Sequence, residues 1–318
     1  MGERRIGGAS FADAFMAPGV GRNARLERIE ELFDWPAFAA LLKPVRSEMG
    51  RKGYPALSLF KALLLQQWYG LSDPGMEEAL LDRLSFRRFC GFALADATPD
   101  ETTFVRFRAA LAGHRIAEAL FTELGRQLDA RGLVLKQGTL IDASLVEAAV
   151  ARPAGPSGTR SGLDPDADWT RRGNKSHFGY KAHLAVDQGS GLIRDAALTS
   201  AKVNDTEVAD ALVQGDEGAV YADKAYESKA RRKRLKDAGI KDRIMHRSHK
   251  NQNGLPYWQK LRNKLIAPIR AAVERPFGVL KRSYGYRRVR YRGLARNTSH
   301  LFLLCIALNL RRAEKLVA

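Results

Sequence analysis

Residues 138–150 read GTLIDASLVEAAV, and this stretch opens the second half of the chain. Thr139, Leu140 and Ile141 form a β-branched and aliphatic run that is typical of a buried strand. The next residue, Asp142, is a carboxylate, which is costly to bury unless it is paired, hydrogen-bonded or bound to a cation. Two interpretations are open at this point. Asp142 caps a turn or a following helix, or it belongs to a functional site.

A second apolar run leads into an acid in the same way. Residues 219–222 read AVYA, which predicts a buried strand, and Asp223 follows directly. The order of the predicted elements places these two strands side by side, so Asp142 and Asp223 are expected to meet at one edge of a sheet. Two carboxylates at close range repel each other, and a cation between them removes that repulsion.

The order of elements around these strands predicts the fold class. From residue 136 onward the pattern indicates three strands, a helix, a strand, a helix, a strand and a long helix from about Pro256. A meander of three strands, followed by two strands reached through helices, is the order of an RNase H-like α/β domain. We therefore predict such a domain over residues 136–318, with a mixed five-stranded sheet.

The first half of the chain predicts an all-helical domain over residues 1–135. Pro55 opens an apolar helical run, Ser72 is placed as the N-cap of the next helix, and Thr98 caps a third with Pro99 at its first position. Short helices in series are compatible with a helix-turn-helix domain that binds DNA, and equally with a plain helical bundle. Both alternatives stay open on the residues alone.

One segment is out of proportion to the rest. Residues 151–176 are rich in Pro, Gly and charge, and such a segment is longer than compact domains normally carry as a loop. We interpret it as a loop that faces the substrate, with a disordered excursion as the alternative. Asp166 and Asp168, which lie in it, are predicted to be solvated.

Charge is the strongest global feature of the chain. It has 53 Lys and Arg against 35 Asp and Glu, a net charge of +18 and an isoelectric point near 10.1. Residues 1–135 contain 18 basic and 17 acidic residues, so residues 136–318 carry almost the whole excess, with 35 basic and 18 acidic. This distribution predicts a nucleic acid as partner rather than an anionic membrane surface, because no long basic helix with an aromatic face is found.

Part of this excess lies in the run KARRKRLK, whose cationic residues are predicted to contact a DNA backbone, with a solvated helix face as the alternative. The residues assigned to that contact are Arg231, Arg232, Lys233 and Arg234. The two cysteines, Cys90 and Cys305, have no metal-site spacing and favour a reducing compartment. No apolar run is long enough to span a bilayer and the first 20 residues contain no signal-peptide core, so a cytoplasmic protein is expected.

A third acid, Glu274, lies in a predicted helix between two cations. Arg270 precedes it by four residues and Lys281 falls near the same face, a pattern that is also typical of a solvent-exposed row of salt bridges. Pro276 is predicted to kink the helix or restart it just after Glu274. Two aspartates and a glutamate supply the hard oxygen ligands that Mg²⁺ prefers, and two such ions support in-line displacement at phosphorus.

Together these motifs resemble the DDE transposases of the IS5 group, within the wider IS4-like superfamily. The blocks that carry the resemblance are LSLFKALLLQQWYGLSD, EEALLDRLSFRRFCGF, PDETTFVRFR, DASLVEAA, FGYKAHLAVD, LTSAKVNDTEV, VYADKAYES and VERPFGVLKR. The resemblance implies that the catalytic, metal-binding triad is Asp142, Asp223 and Glu274. It also implies that Arg270 and Lys281 are the R and K of the signature Y-x2-R-x3-E-x6-K. The signature tyrosine falls on Ala267, which is a departure from the family pattern.

The resemblance further implies the transposase of a bacterial insertion sequence, acting at the nucleoid with Mg²⁺, for which Mn²⁺ can substitute. Such an enzyme binds terminal inverted repeats in double-stranded DNA as a homo-oligomer, frees a 3′-hydroxyl and joins it to target DNA. Two other functions stay open. One is a catalytically inactive or domesticated DNA-binding regulator, and the other is an RNase H-like nuclease that cuts without joining.

Overall fold

The computed structural model describes residues 3–8, 17, 19–45, 52–154, 158–159, 161–248 and 254–318. The chain divides into two compact units, Met1–Gln127 with Phe302–Ala318, and Leu128–Leu301. These units differ from the predicted division into residues 1–135 and 136–318, because the end of the C-terminal helix lies in the first unit. There the Trp68 indole Nε1 donates a buried hydrogen bond of 2.8 Å to the Ala307 carbonyl.

The described elements of the N-terminal half are helices. They are α1 (Ala24–Leu32), α2 (Trp35–Leu41), α3 (Ala56–Tyr69), α4 (Asp73–Asp82), α5 (Leu84–Cys90), α6 (Glu101–Gly113) and α7 (Ile116–Ala130), with a 3₁₀ turn at Lys43–Val45. Helix α3 is buried along most of its length, and Gly70 ends it with a left-handed φ of 64°. Its Lys61 is 6% exposed and is neutralised by Glu30 at 2.6 Å.

Of the two helix N-caps predicted in this half, one is confirmed and the other is wrong. Ser72 caps α4 as predicted, because its hydroxyl accepts from the Gly75 amide at 3.1 Å. Thr98 does not cap α6. The N-cap is Asp100, whose carboxylate accepts from the Thr103 amide at 2.7 Å, so the helix begins at Glu101. An aspartate caps better than a threonine, which explains why the helix starts at the later residue.

The second unit is built on a mixed sheet with six strands in the described residues. They are β1 (Thr139–Glu147), β2 (Asp168–Arg172), β3 (Lys175–Asp187), β4 (Ile193–Ser200), β5 (Ala219–Ala222) and β6 (Lys241–Ile244). The prediction of five strands is therefore wrong by one. The additional strand, β2, lies in the segment interpreted as a loop, and it pairs with the start of β3 across a tight hairpin.

Strand β3 lies between β1 on one side and β2 and β4 on the other, and all three pairings are antiparallel. β1 is parallel to β5, and β5 is parallel to β6. The predicted neighbourhood of the two strands that lead into aspartates is thus confirmed. β1, however, runs on to Glu147 instead of ending at Asp142, because its edge beyond Asp142 continues to pair with β3.

Helices complete the second unit. They are α8 (Asp205–Ala209), α9 (Lys229–Asp237), α10 (Tyr257–Arg270), α11 (Glu274–Arg282) and the first part of α12 (Leu294–Val317), with 3₁₀ turns at Lys224–Tyr226 and Ala271–Val273. The break predicted after Glu274 comes before it, and a new helix begins at Glu274. Pro276 then lies in the first turn of α11, where a backbone donor is not needed.

The segment 161–168 is anchored by its acids. The buried Asp164 accepts from the Tyr180 hydroxyl at 2.6 Å and from the Gly293 amide at 3.1 Å. Asp166, predicted to be solvated, is exposed but also accepts from the Leu294 amide at 2.7 Å, at the start of α12. Residues 155–157 and 160 of the predicted loop lie outside the described residues. Over the described ranges, the chain contains no helix with the length and apolarity needed to cross a membrane.

Candidate active site

The register of two parallel strands brings the aspartates together. Ile141 pairs with Ala222 as the last parallel pair between β1 and β5, so Asp142 and Asp223 are the next residues on neighbouring strands. Burial raises the pKa of Asp142 above its ordinary value. The charge of Asp223 raises that pKa further, while the Ala143 amide and the Arg270 guanidinium oppose the shift.

Arg270 connects Asp142 to the third acid. Its Nη1 lies 3.2 Å from Asp142 Oδ2, and its Nη2 lies 3.6 Å from Glu274 Oε1. The Glu274 side chain is 67% exposed, compared with 24% for Asp142. The Arg270 guanidinium therefore contacts two of the three predicted acids, Asp142 and Glu274, with Glu274 on the more exposed side.

The donor set fits a divalent cation in part. Asp142 and Asp223 offer hard oxygen ligands at adjacent positions, and a cation between two carboxylates would neutralise their mutual repulsion. Glu274 contacts Arg270 and does not join them. Accordingly, no group of three or more His, Cys, Asp or Glu in the described part of the chain is arranged to hold a metal ion.

Tyr226 is a site residue that was not singled out from the sequence. Its side chain is 2% exposed, and its hydroxyl has no hydrogen-bond partner among the described residues. Burial raises the pKa of this phenol, and the charges of Asp142, Asp205 and Asp223 raise it further. A signal was present in the sequence: Tyr226 follows Asp223 by three residues, and the 3₁₀ turn between them aligns side chains at that spacing.

We expect Tyr226→Phe to leave the protein as stable as the parent or more stable by about 1 kcal/mol. A buried hydroxyl without a partner costs about 1–3 kcal/mol, and phenylalanine removes it without leaving a cavity. Urea unfolding measures the effect. Tyr180→Phe is the matched control, because its buried hydroxyl donates to Asp164 and its loss should destabilise the protein by about 1–3 kcal/mol. Equal losses in both variants would show that Tyr226 has a partner within the protein.

His183 lies beside this site and is fully buried. It pairs with Ala143 across β3 and β1, and its Nε2 lies 2.9 Å from the Thr199 hydroxyl. Burial lowers the pKa of His183 to about 4, and the Lys181 ammonium lowers it further, while Asp205 opposes this shift. Lys181 and Asp205 form an ion pair of 2.9 Å. His183 is therefore neutral at neutral pH and is a structural residue of the sheet.

The depressed pKa of His183 predicts a pH-dependent stability. Above about pH 6.5 the ring is neutral in both states, and its full contribution is present. As the pH falls from there to about 4, the unfolded chain takes up a proton that the folded chain refuses, so the free energy of unfolding falls by on the order of 3 kcal/mol.

Urea unfolding at several pH values between these limits tests this prediction. His183→Gln should show a weaker fall in stability with decreasing pH than the parent, whereas the exposed His114→Gln should follow the parent. A constant difference in unfolding free energy between the parent and His183→Gln at every pH would contradict the assignment.

The α9 residues that were predicted to contact DNA differ in whether their charged groups are accessible to a phosphate. Arg231 is 4% exposed and donates to Asp210 Oδ1 at 2.7 Å, to the Tyr226 carbonyl at 2.5 Å and to the Thr206 carbonyl at 2.6 Å. A buried guanidinium committed in this way is not accessible to a phosphate. We therefore withdraw Arg231 from the proposed DNA contacts.

The remaining cations of α9 are more accessible. Arg232 is partly buried and pairs with Glu227 at 3.0 Å and with Asp242. Arg234 pairs with Asp210, but 61% of its side chain is exposed. Lys233 is exposed, and no carboxylate of the described residues lies within ion-pair distance of it. Among the four α9 cations assigned to DNA contact, Lys233 is thus the one with no acidic partner in the described residues.

Two family models match this chain. The model described as Transposase DDE domain matches residues 135–310, which is more than half of the chain and includes all three candidate acids. The chain belongs to the transposase DDE domain family. The model described as Transposase domain (DUF772) matches residues 17–110, in the helical N-terminal half. Its family membership makes this chain a DNA transposase.

The DDE transposase is also similar to a solved structure, the cryo-EM structure of a piggyBac transposase synaptic complex with hairpin DNA. The similarity has a TM-score of 0.48 and 11% sequence identity, and it covers 90% of this chain and 73% of that chain. The family assignment rests on the family model that matches residues 135–310.

Proposed function

We propose that this DDE transposase is the enzyme of an IS5-group insertion sequence. It binds terminal inverted repeats as a homo-oligomer, cleaves the DNA ends and joins the 3′-hydroxyl to target DNA. The observation that carries the proposal is the register that sets Asp142 and Asp223 side by side at the point where the pairing of β1 and β5 ends. The six-stranded mixed sheet with flanking helices supports an RNase H-like catalytic domain.

The proposed chemistry assigns a role to each group. Asp142 and Asp223 would hold Mg²⁺ or Mn²⁺, and bound cations of this kind activate an attacking oxygen and stabilise a leaving oxygen at phosphorus. Glu274 would be the third ligand in this proposal, although its contact in the structure is with Arg270. Arg270, which lies against Asp142 at 3.2 Å, offers its guanidinium to the phosphate on which the acids act.

The charge distribution supports DNA as the partner. Residues 136–318 carry 17 of the 18 net positive charges of the chain, so the unit with the candidate acids is also the basic one. Lys281 and Lys233 are the proposed backbone contacts with no acidic partner in the described residues, and Arg232 and Arg234 are secondary contacts. The helical N-terminal half is proposed to bind the DNA ends.

A strand-transfer assay tests the proposal. Purified protein, DNA that carries the matching inverted repeats of its own flanking sequence, and a target plasmid are incubated with Mg²⁺, with Mn²⁺ or with a chelator. We expect joined products with either metal and none with the chelator, while DNA binding persists in all three samples. Joined products in the chelated sample would contradict a metal-dependent reaction.

A DNA-binding regulator is the second candidate, and two observations favour it. Glu274 stands apart from the aspartates, and Ala267 replaces the tyrosine of the signature. A regulator would bind the ends tightly and give neither cleaved nor joined DNA with Mg²⁺ or Mn²⁺. A nuclease would give cleaved ends without joined products, so the same gel separates all three functions.

A further inference from the structure

A basic cavity of about 570 Å³ lies in the second unit. Its walls come mainly from four parts of the chain: strand β1, the β2–β3 hairpin, helix α11 and the segment that follows α11. The charged side chains that line it are Arg172, Lys281, Arg282, Arg287 and Glu147. Four cations and one acid thus lie around a single opening. A solvated surface would normally have positive and negative side chains interspersed.

The acid does not neutralise these cations. Glu147 is directed to two arginines outside the lining, with contacts of 3.4 Å to Arg288 and 3.7 Å to Arg152. Within the described ranges, no carboxylate lies within 4 Å of Arg172 or Arg287. The Lys281 ammonium donates to the Leu145 carbonyl at 3.0 Å. Its pKa is lowered by burial and, in addition, by the charges of Arg172 and Arg287, so the three cations sense each other.

The backbone fixes the wall that carries Arg287. The Glu147 amide donates to the Arg287 carbonyl at 3.0 Å, and the Val289 amide donates to the Glu147 carbonyl at 2.8 Å, so this segment continues the edge of β1. On the other side of β1, Gly179 has a φ of 152°, and a Cβ there would lie 2.3 Å from the Val146 carbonyl oxygen. Arg287 therefore lies on a segment that is hydrogen-bonded to β1, and not on a free loop.

Two elements lead from the candidate acids to this cavity. Strand β1 carries Asp142 and reaches the lining at Leu145, and α11 begins at Glu274 and reaches it at Lys281. Three residues of strand and seven residues of helix each span on the order of 10 Å. The cavity is thus close to the acids along both elements, at a distance that one bound DNA strand would cover.

We propose that this cavity binds a backbone phosphate of the DNA strand on which the acids act, with Arg172 and Arg287 as its principal contacts beside Lys281. Guanidinium groups bind phosphate oxygens in a bidentate manner, and an anion among three like charges also relieves their repulsion. The identification of the bound molecule as the DNA strand on which the acids act rests on the proposed function. A role of the β2–β3 hairpin follows: it brings Arg172 to the DNA.

Fluorescence polarisation with a fluorescein-labelled, mixed-sequence DNA duplex tests the proposal over a series of salt concentrations. The double variant Arg172→Gln/Arg287→Gln should bind about tenfold more weakly than the parent. The slope of log affinity against log salt should fall in magnitude by about 1, because one phosphate contact is lost. Arg172→Lys/Arg287→Lys should restore the salt slope, since it keeps both charges.

The matched control removes the same charge elsewhere in the unit. Lys202 and Lys241 are exposed and lie outside the cavity, so Lys202→Gln/Lys241→Gln should change the affinity less than twofold. Equal binding by the two double variants would overturn the proposal, as would tighter binding of an RNA duplex than of the DNA. Both affected arginines are exposed, so circular dichroism should show unchanged folding.

This binding assay requires no chemistry, which separates the inference from the proposed function. If the parent cuts and joins DNA while the double variant binds like its control, the cavity assignment fails and the transposase assignment stands. If the parent never cuts DNA but the double variant loses affinity, the cavity is a DNA phosphate site in a protein without the proposed activity.

Discussion

Asp142→Asn and Glu274→Gln are each expected to lower DNA cleavage and joining by on the order of 10³-fold or more, with DNA affinity close to that of the parent. Each change would remove one of the oxygen ligands proposed for the divalent cation and keeps the size of the side chain, so cation binding should weaken while the basic surface is unchanged. Cleavage kinetics with the flanking DNA ends and Mg²⁺, together with a binding isotherm for each variant, measure both quantities.

Glu207→Gln is the matched control, because Glu207 is an exposed acid of α8 in the same unit. It should cleave and join DNA at the parental rate. The two site variants also test the triad separately, since Asp142 lies next to Asp223 whereas Glu274 contacts Arg270. Full activity in Glu274→Gln beside an inactive Asp142→Asn would show that a different residue completes the site.

Arg231→Ala is expected to destabilise the protein by about 3 kcal/mol. The substitution leaves two backbone carbonyls without their partner and removes the buried cation that pairs with Asp210, and breaking such an ion pair by removing one charge is strongly destabilising. One of those carbonyls belongs to Tyr226, so the 3₁₀ turn after Asp223 loses a contact as well. Urea unfolding followed by circular dichroism measures the loss.

Arg234 supplies the control for this prediction, because it pairs with the same carboxylate as Arg231. Arg234 also pairs with Asp210, but 61% of its side chain is exposed, so Arg234→Ala should cost less than about 1 kcal/mol. Arg231→Lys should be destabilising too, because an ammonium cannot reproduce the planar fork that reaches several acceptors. If Arg231→Ala weakens DNA binding without loss of stability, then Arg231 is a DNA contact after all.

Local patterns predicted the main elements of the second unit well. The apolar runs before Asp142 and Asp223 were recognisable as strands, and their predicted neighbourhood is confirmed by the pairing of Ile141 with Ala222. Strand β2 was missed because DWTRR carries little hydrophobic signal, and it becomes a strand only through its pairing with β3. Pairing with β3 likewise extends β1 beyond Asp142.

The role of individual charges was predicted less well. Arg231 and Lys233 are two residues apart in one basic run, yet Arg231 is buried against Asp210 and Lys233 is exposed. Sequence spacing distinguishes the faces of a helix, but it does not reveal which distant acid meets which cation. The state of the Tyr226 hydroxyl has no such signal for a related reason, since only the folded chain shows that this hydroxyl is buried with no partner among the described residues.

The sequence by itself therefore determined the position of the buried strands, the acids that follow their apolar runs and the basic character of the second half, because each of these depends on neighbouring residues or on composition. Only the tertiary structure decided that Arg270 links Asp142 to Glu274, and that Arg172, Lys281 and Arg287 converge on one cavity. Those arrangements join residues more than 100 positions apart, and such contacts arise from the packing of whole elements, which no local pattern encodes.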